Sequence, residues 1–297
     1  MGMTLVTGAL GFVGSHLVAE MTRRGLPLRG VTRQTVPGLM TIPSYGPEMD
    51  WSNWLEGTDT VVHLAARVHV MRDTATDPLS LFREANVDAT VNLSRQAATA
   101  GVRRFVFVSS IKVNGERTEP GKPFTAYDTP KPQDPYGISK SEAEIALLAL
   151  GRETGMEITI VRPPLVYGPG VRGNFRSLMK WSASGMPSIF AAVKNKRSFV
   201  HVANLCDLLI TVLDHPNAAN QIFLVSDGHD LSTHELIERL TIQAGRQPRS
   251  VSIAPTFLNL IGKLTRRRAA VERLTQSLQV DIESTCQKLS WRPLTRL

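Results

Sequence analysis

The segment PYGISK, Pro135 to Lys140, sets a phenol and an amine four residues apart. A phenol has a pKa near 10 and is a poor acid–base catalyst at neutral pH. An ammonium about 5 Å away, at an effective dielectric of about 20, favours the phenolate by roughly 3 kcal/mol, or about 2 pKa units. We therefore expect Lys140 to lower the pKa of Tyr136, so that Tyr136 can move a proton. The spacing alone also fits the first turn of a surface helix, so its context has to decide.

Two hydroxyl groups precede this pair. The apolar run FVFV (105–108) reads as a strand and ends at Ser109 and Ser110. In doubly wound sheets the ligand crevice lies outside the carboxyl ends of the strands. Both serines are therefore expected at the mouth of a binding crevice.

Three glycines follow the first apolar run, in TGALGFVG. Gly8, Gly11 and Gly14 stand between a predicted strand and a predicted helix. Such glycines allow a tight turn, close approach of a pyrophosphate, and packing of helix on strand. The helix start offers free N–H groups to the phosphates. No Gly-Lys-Ser/Thr follows, so the loop is not that of an NTPase, and a dinucleotide is the predicted ligand.

The end of the second strand bears on which dinucleotide binds. An acidic residue is expected there for the adenine ribose, yet no Asp or Glu occurs between Met21 and Pro47, and Arg33 occupies the region. A guanidinium suits a 2′-phosphate. The sequence therefore favours NADP over NAD. The alternative interpretation is that Arg33 is an exposed residue without a role in ligand binding.

The order of elements predicts the fold class. Short apolar runs alternate with helical patterns through the first half, which predicts an α/β, doubly wound parallel sheet of the Rossmann type. The predicted strands are 3–8, 26–33, 59–66, 103–110, 156–163 and 221–226, and the predicted helices are 12–25, 79–101, 137–155 and 232–245, the last with a Ser232/Glu235 capping box. We expect a dinucleotide-binding domain over 1–163, to which 204–226 returns. A smaller C-terminal substrate-binding lobe is expected over 164–203 and 227–297.

Composition limits the other classes. The 297 residues are 42% apolar, contain two separated cysteines, and show no membrane-length apolar run and no signal peptide pattern. We expect a cytoplasmic protein that binds no metal and no membrane. The net charge of +8 suits an anionic ligand. A basic cluster occurs at Lys263, Arg266, Arg267 and Arg268. Such a cluster is typical of a solvated helix face, and aromatic residues, which base stacking needs, make up only 6% of the chain. We therefore expect no nucleic-acid partner.

A glycine turn, a hydroxyl at a strand mouth and Tyr-x-x-x-Lys, in this order, resemble the short-chain dehydrogenase/reductases. TGxxGxxG, HLAA (63–66) and RPPLVYGPG (162–170) resemble the extended branch that acts on nucleotide sugars, and the resemblance covers nearly the whole chain. It implies that Tyr136 is the acid–base group, that Lys140 also holds the nicotinamide ribose, and that Ser110 hydrogen-bonds the reacting oxygen. Ser109 takes that role if the register is shifted by one.

The resemblance also implies ligand contacts. The expected cofactor contacts are Gly8, Gly11, Phe12, Val13, Gly14, Arg33, Leu64, Ala65, Ala66, Asn86, Ser109, Tyr136, Lys140 and Pro163. The expected contacts to a UDP-sugar are Ser110, Asn174 and Phe175 from GNF, and Arg197 from KRSFVHV. His63 and His201 are expected to be structural. Asn204 stands where the family often has Asp.

The reaction type follows from what is missing. The family's 4,6-dehydratases carry Asp-Glu after the strand-mouth hydroxyl, where this chain has Ile111 and Lys112, which argues against a dehydratase. The family's GDP-sugar epimerase-reductases need a cysteine near the end of that strand, and neither Cys206 nor Cys286 is near it in the sequence. The strings HLAARVHVMRD (63–73) and SLQVD (277–281) resemble those of bacterial enzymes of surface-polysaccharide sugar synthesis. We expect NAD(P)-dependent chemistry at C4: reduction of a UDP-4-keto-6-deoxy-N-acetylhexosamine first, UDP-hexose or UDP-N-acetylhexosamine 4-epimerisation second, and a non-catalytic NADP-binding regulator as a remote third.

The apolar residues of two helices predict a partner. Residues 80–100 and 137–151 are apolar around more of their circumference than packing on a sheet requires. We expect a homodimer through these helices, as the family commonly forms, with deeper burial beneath the second lobe as the alternative.

Overall fold

The computed structural model describes residues 1–68, 77–171, 173–264 and 268–295. Its strands are β1 Met3–Thr7, β2 Leu28–Thr32, β3 Met40–Thr41, β4 Thr58–His63, β5 Arg104–Val108, β6 Glu157–Arg162, β7 Leu165–Tyr167, β8 Phe199–His201 and β9 Gln221–Leu224. Its α-helices are α1 Phe12–Arg23, α2 Ser52–Leu55, α3 Pro78–Arg83, α4 Ala89–Thr99, α5 Pro135–Thr154, α6 Gly173–Ser184, α7 Val202–Asp214, α8 Thr233–Gln243, α9 Pro255–Leu264, α10 Arg268–Thr275 and α11 Glu283–Leu289.

Seven of these strands, among the residues described, form one sheet in the order β3-β2-β1-β4-β5-β6-β9. Every neighbouring pair in it is parallel. The strand order reverses at β1 and β4, which is where open parallel sheets leave a crevice for a ligand. The predicted fold class is confirmed.

Helices cover both faces of the sheet because successive strand residues point to opposite sides. Val6, Val62 and Val106 face a core that contains residues of α1 and α7. Leu5, Val61 and Phe105 face a second core that contains residues of α4 and α5. The strands are therefore buried on both sides, which explains their continuous apolar runs.

The helix predicted over 79–101 is interrupted. Between α3 and α4, Glu84–Asp88 forms a π-helical turn. The apolar pattern runs on through this turn, so the sequence gives no sign of it. π-turns inside helices are frequent at functional sites, and this one carries the buried Asn86.

The second half of the chain contributes to both parts of the molecule. β9 completes the main sheet by pairing with β6, from Thr159–Gln221 to Arg162–Leu224. β7 pairs with β8 apart from it. The helices α6 and α8 meet over an apolar cluster that includes Phe175, Leu236 and Leu240. Within the described ranges, no helix is both long and apolar enough to cross a membrane.

Candidate active site

The crevice edge gathers residues that are far apart in the sequence. Because the sheet is parallel, the carboxyl ends of its strands meet on one side. The predicted residues that directly follow these ends are Gly8 after β1, Arg33 after β2, Leu64, Ala65 and Ala66 after β4, Ser109 and Ser110 after β5, and Pro163 after β6.

The glycine turn packs so closely against other backbone segments that it leaves no room for side chains at Gly8 and Gly14. Gly8 has φ +70°, and a Cβ there would lie 2.8 Å from the backbone nitrogen of Ala65. A Cβ on Gly14 would lie 2.1 Å from the carbonyl oxygen of Gly8. Gly11 begins α1 with no side-chain cap and no acidic residue in the first turn. The N–H of Gly11 donates to Gly8 O at 2.8 Å, whereas the N–H groups of Phe12 and Val13, in the first turn of α1, have no side-chain cap and are available to an anion.

The end of β4 is fixed by a buried hydrogen-bond network. Thr7 Oγ1 accepts from the backbone N–H groups of Leu64 and Ala65, both at 3.2 Å, and lies 2.7 Å from His63 Nδ1. His63 Nε2 lies 3.0 Å from the hydroxyls of both Tyr45 and Thr90. Burial, followed by the charge of Lys140, lowers the pKa of His63 to about 3. His63 is therefore a neutral structural residue.

Asn86 connects the loop after β4 to the helix of the Tyr-Lys pair. Its Oδ1 accepts from Arg67 N at 2.8 Å, and its Nδ2 donates to Arg67 O and to Ser139 Oγ, both at 3.0 Å. Ser139 Oγ in turn donates to the carbonyl of Tyr136 at 2.8 Å. The π-turn places Asn86 in this bridging position.

The start of α5 presents Tyr136. Asp134 caps the helix by accepting from Gly137 N at 2.7 Å, and Pro135 occupies the first turn. The Tyr136 ring is half-buried and packs edge-on against Phe82, with ring centroids 6.1 Å apart. One turn later, Lys140 is buried, donates to Val108 O at 2.9 Å and lies over the Phe107 ring at 4.1 Å. The Lys140 side chain therefore reaches the end of β5, one helical turn from Tyr136.

The predicted lowering of the Tyr136 pKa is wrong for the protein without ligands. Burial raises the pKa of Tyr136 well above its ordinary value, and Asp134 adds to the rise. Burial also lowers the pKa of Lys140 to about 7, against a smaller opposing effect of Glu144. Lys140 is thus only partly charged at neutral pH, and its amine is directed at a carbonyl.

Ser110 and Lys112 form a unit that the sequence did not reveal. Ser110 Oγ caps the 3₁₀ turn Ile111–Val113 by accepting from Lys112 N at 3.2 Å. The amine of Lys112 pairs with Asp134, the cap of α5, and with Glu116 at 2.9 Å. Lys112, at a position that is acidic in the family's dehydratases, is therefore a cation paired with Asp134, the carboxylate that acts on Tyr136.

Ser109 and Pro163 lie beside this turn. Ser109 Oγ is buried and has no hydrogen-bond partner among the described residues. The Pro163 carbonyl accepts from Ile111 N at 3.0 Å. The Ser110 turn is therefore tied to the end of β6, and a buried hydroxyl beside it is available to a ligand.

A buried ion pair that the sequence also did not reveal holds α5 to the sheet. Arg162 Nε donates to Glu144 Oε1 at 3.0 Å, and Arg162 Nη1 donates to Asn114 Oδ1 at 3.0 Å. Arg162 and Glu144 are 2% and 4% exposed. Their hydrogen bonds offset the cost of burying two charges and fix Lys140, one turn away.

Arg197 is brought to the same side as Ser110. Its Nη1 donates to Gln276 O at 2.9 Å, and the neighbouring Leu278 packs with Ile111 in one apolar cluster. Burial lowers the pKa of Arg197 to about 10, with smaller effects of Glu116 and Arg273. It therefore stays positive at neutral pH, with a second arginine nearby.

Of the remaining predicted residues, the structure describes the side chains of Phe175 and Arg33 but not those of Asn174 or the basic cluster. Phe175 is buried and stacks on Tyr167 at 5.4 Å. It lines a cleft of about 830 Å³ that is not lined by Tyr136, Lys140 or Ser110. The side chain of Asn174 lies outside the described part, as do Arg266, Arg267 and the side chains of Lys263 and Arg268. Arg33 is exposed directly after β2.

A Rossmann crevice with a serine, a tyrosine and a lysine at its mouth defines an enzyme of the short-chain dehydrogenase/reductase class. Residues 4–226 match the model of the NAD dependent epimerase/dehydratase family. The chain belongs to this family.

Several known proteins are similar over nearly the whole chain. A UDP-glucose 4-epimerase of Vibrio cholerae is 46% identical over 97% of this chain and 90% of its own length. The N-acetyl-alpha-D-glucosaminyl-diphospho-ditrans,octacis-undecaprenol 4-epimerase of Escherichia coli O157:H7 is 28% identical over 90% of this chain and 82% of its own. Among solved structures, MoeE5 in complex with UDP-glucose and NAD has a TM-score of 0.78 at 26% identity, covering 100% of this chain and 95% of that one. The resemblance identified from the motifs is confirmed.

Proposed function

We propose that this protein is a UDP-sugar 4-epimerase. The observation that carries the proposal is the 46% identity, over 97% of the chain, to the UDP-glucose 4-epimerase of Vibrio cholerae. The residues at the crevice support the same chemistry, because epimerisation at C4 needs a group that removes and then returns the proton of the C4 hydroxyl. The epimerase thus takes precedence over the 4-ketoreductase that the sequence alone favoured.

The crevice fits a nicotinamide dinucleotide. A Cβ at Gly8 or Gly14 would fill the glycine turn, and the first turn of α1 has N–H groups without a side-chain cap. Ser109 supplies a buried hydroxyl without a protein partner among the described residues. In this proposal the glycine turn holds the pyrophosphate, while Lys140 and Ser109 lie at the nicotinamide ribose. The bound nicotinamide supplies a hydride acceptor and donor for C4, and its oxidised form carries a positive charge that lowers the pKa of Tyr136.

The protein's own groups handle the proton and orient the sugar. Tyr136 Oη takes the proton of the C4 hydroxyl and returns it after the sugar has turned. Ser110 Oγ donates a hydrogen bond to the C4 oxygen. We assign the nucleotide diphosphate to the buried cation Arg197 and, as the family resemblance implies, to Asn174 of α6, with the buried Phe175 supporting that helix from within its apolar cluster. Residues 164–203 and 227–297 then form the substrate lobe.

The first experiment measures interconversion of UDP-glucose and UDP-galactose, and of their N-acetyl counterparts, by purified protein with NAD. We expect turnover with at least one pair. Tyr136→Phe should lower kcat by about 10²-fold or more while NAD affinity stays within a few-fold. The control is Tyr127→Phe, because Tyr127 is 72% exposed and its hydroxyl lies 3.2 Å from Ser284 Oγ, away from the crevice residues named above. Retained turnover in Tyr136→Phe would remove Tyr136 from its role.

The 4-ketoreductase remains the second candidate because of Arg33. This exposed cation directly after β2 suits the 2′-phosphate of NADPH. The test supplies UDP-4-keto-6-deoxy-N-acetylglucosamine with NADPH or NADH and follows the nicotinamide absorbance. Oxidation of NADPH, weakened in Arg33→Ser, together with no epimerisation, would establish the reductase. Turnover of either kind excludes the non-catalytic regulator.

A further inference from the structure

Most of the net positive charge of the chain lies in one stretch of its second half. Residues 239–273 contain eight arginine or lysine residues and a single acidic one, Glu272, in a chain whose net charge is +8. Arg246 and Arg249, in the loop between α8 and α9, are exposed. Arg246 and Arg249 are not among the cations assigned to the crevice, which are Arg33, Lys140 and Arg197, with Arg273 near the last of these.

The helix that follows this loop exposes an apolar side. Phe257, Leu260 and Leu264 of α9 are 57%, 50% and 76% exposed. Their spacing of three and four residues puts them on one side of the helix. Leu258 is buried in an apolar cluster with Phe190 and Ile237. The helix is therefore anchored to the protein by one side and presents a second apolar side to solvent.

Arg246 and Arg249 precede α9 by nine and six residues. We propose that they act together with Phe257, Leu260 and Leu264 as one basic–apolar surface that docks on an anionic lipid bilayer. Acidic headgroups attract the arginines, and the apolar side chains enter the boundary between headgroups and acyl chains. With ten residues, α9 is too short to span a bilayer, which needs about 20, so the contact is peripheral. This proposal revises the expectation of no membrane partner.

A nucleic acid would contact fewer of the residues of this surface than a bilayer would. Phosphates would pair with Arg246 and Arg249 but would leave Leu260 and Leu264 in water. Among residues 239–273 only Phe257 is aromatic, whereas base stacking uses several aromatic side chains. A bilayer engages both the charged and the apolar part of the surface.

The test is co-sedimentation of the full chain with vesicles of equal parts phosphatidylglycerol and phosphatidylcholine at low salt. We expect binding that falls with added salt and is weak on phosphatidylcholine alone. Arg246→Gln with Arg249→Gln should weaken binding by about fivefold for each charge removed. Leu260→Ser with Leu264→Ser should also reduce it several-fold. The matched control, Met40→Ser with Lys122→Gln, removes an exposed apolar residue and an exposed cation elsewhere and should leave binding unchanged.

The variants are first checked for wild-type unfolding midpoint and turnover, so that a folding defect is recognised. The proposal is overturned if the wild type does not sediment with the anionic vesicles, or if the α9 and arginine variants bind as well as the control. It is equally overturned if the surface retains RNA or DNA, or joins two copies of the chain, while vesicle binding is absent.

Discussion

At the scale of single residues, burial and charge act in opposite directions on the proposed acid–base group. Burial raises the pKa of Tyr136 and lowers that of Lys140 to about 7. Asp134 disfavours the phenolate further, and its pairing with Lys112 offsets part of this charge. Tyr136 is therefore a neutral phenol at pH 7 in this structure. In the proposed function, the positive charge of the oxidised nicotinamide lowers its pKa.

We expect Lys112→Met to shift the pH dependence of kcat to higher pH. Without the cation, Asp134 and Glu116 leave more negative charge beside Tyr136, so its pKa rises further. At pH 7 kcat should fall by about threefold to tenfold, measured as a pH–rate profile. In Lys112→Met with Asp134→Asn the profile should move back, since Asn still caps α5.

The control is Lys122→Met. Lys122 pairs with Glu119 at 2.7 Å on the surface, and both side chains are about three-quarters exposed (76% and 74%). Its removal should leave the profile unchanged. An equal shift in Lys122→Met, or none in Lys112→Met, would contradict the role assigned to Lys112.

Lys140→Met should abolish turnover and yet stabilise the fold. An unfolded lysine has a pKa near 10.5, and burial lowers that of Lys140 to about 7. The buried charge therefore destabilises the folded protein fully below about pH 7, and the effect fades as the pH rises toward 10.5. At pH 7 the free energy of unfolding should increase by about 1–2 kcal/mol. Urea unfolding at pH 6 and pH 9 checks the sign, because the gain should be larger at pH 6.

At the scale of elements, local patterns were predictable from the sequence and long-range pairs were not. The glycine turn, the strand ending at Ser109 and the capped start of α8 each depend on neighbouring residues. Arg162 with Glu144, and Lys112 with Asp134, pair over 18 and 22 residues. No periodicity specifies such partners. The π-turn at Glu84–Asp88 was missed because it leaves the apolar pattern of the helix unchanged.

The start of α7 explains why Asn204 replaces the Asp expected from the family pattern. Asn204 Nδ2 donates to Asp227 Oδ1 at 2.7 Å and to Thr295 O at 2.6 Å. Its Oδ1 accepts from the N–H groups of Leu294 and Thr295, both at 2.9 Å. Asn204 thus clamps the segment after α11, and an aspartate could not donate to Asp227.

Asn204→Asp should therefore lower the free energy of unfolding by about 2–4 kcal/mol at pH 7, because two buried carboxylates then face each other. Urea denaturation measures the change. The matched control is Asn217→Asp at an exposed site, where the amide donates to Lys288 O at 2.9 Å. That change should stay within about 0.5 kcal/mol. A loss at Asn204 no larger than the control's would rule out the clamp.

At the scale of the whole molecule, the described surface has one face suited to a second copy. Ile145 on α5 and Leu81 on α3 are 64% and 37% exposed. Arg83 and Glu142 pair at 2.6 Å between the same two helices. These residues lie in the segments 80–100 and 137–151 that the sequence assigned to a homodimer, which stays a proposal.

Ile145→Glu should convert the proposed dimer into a monomer, since a carboxylate would be buried at the centre of the interface. Light scattering after size exclusion reads the mass directly. Ile242→Glu on α8, at a site 61% exposed, should leave the mass of the wild type unchanged. A monomeric wild type, or a dimeric Ile145→Glu variant, would count against this interface.

The pairing of β9 with β6 has a consequence for how the chain is made. The last strand of the main sheet, Gln221–Leu224, is synthesised only after β7, α6, β8 and α7. The edge of β6 that pairs with β9 therefore stays unpaired while some sixty intervening residues (163–220) are synthesised. No single cut separates the main sheet from β7, α6 and β8, because these elements lie in the chain between β6 and β9. A fragment ending at residue 163 should expose that edge and aggregate.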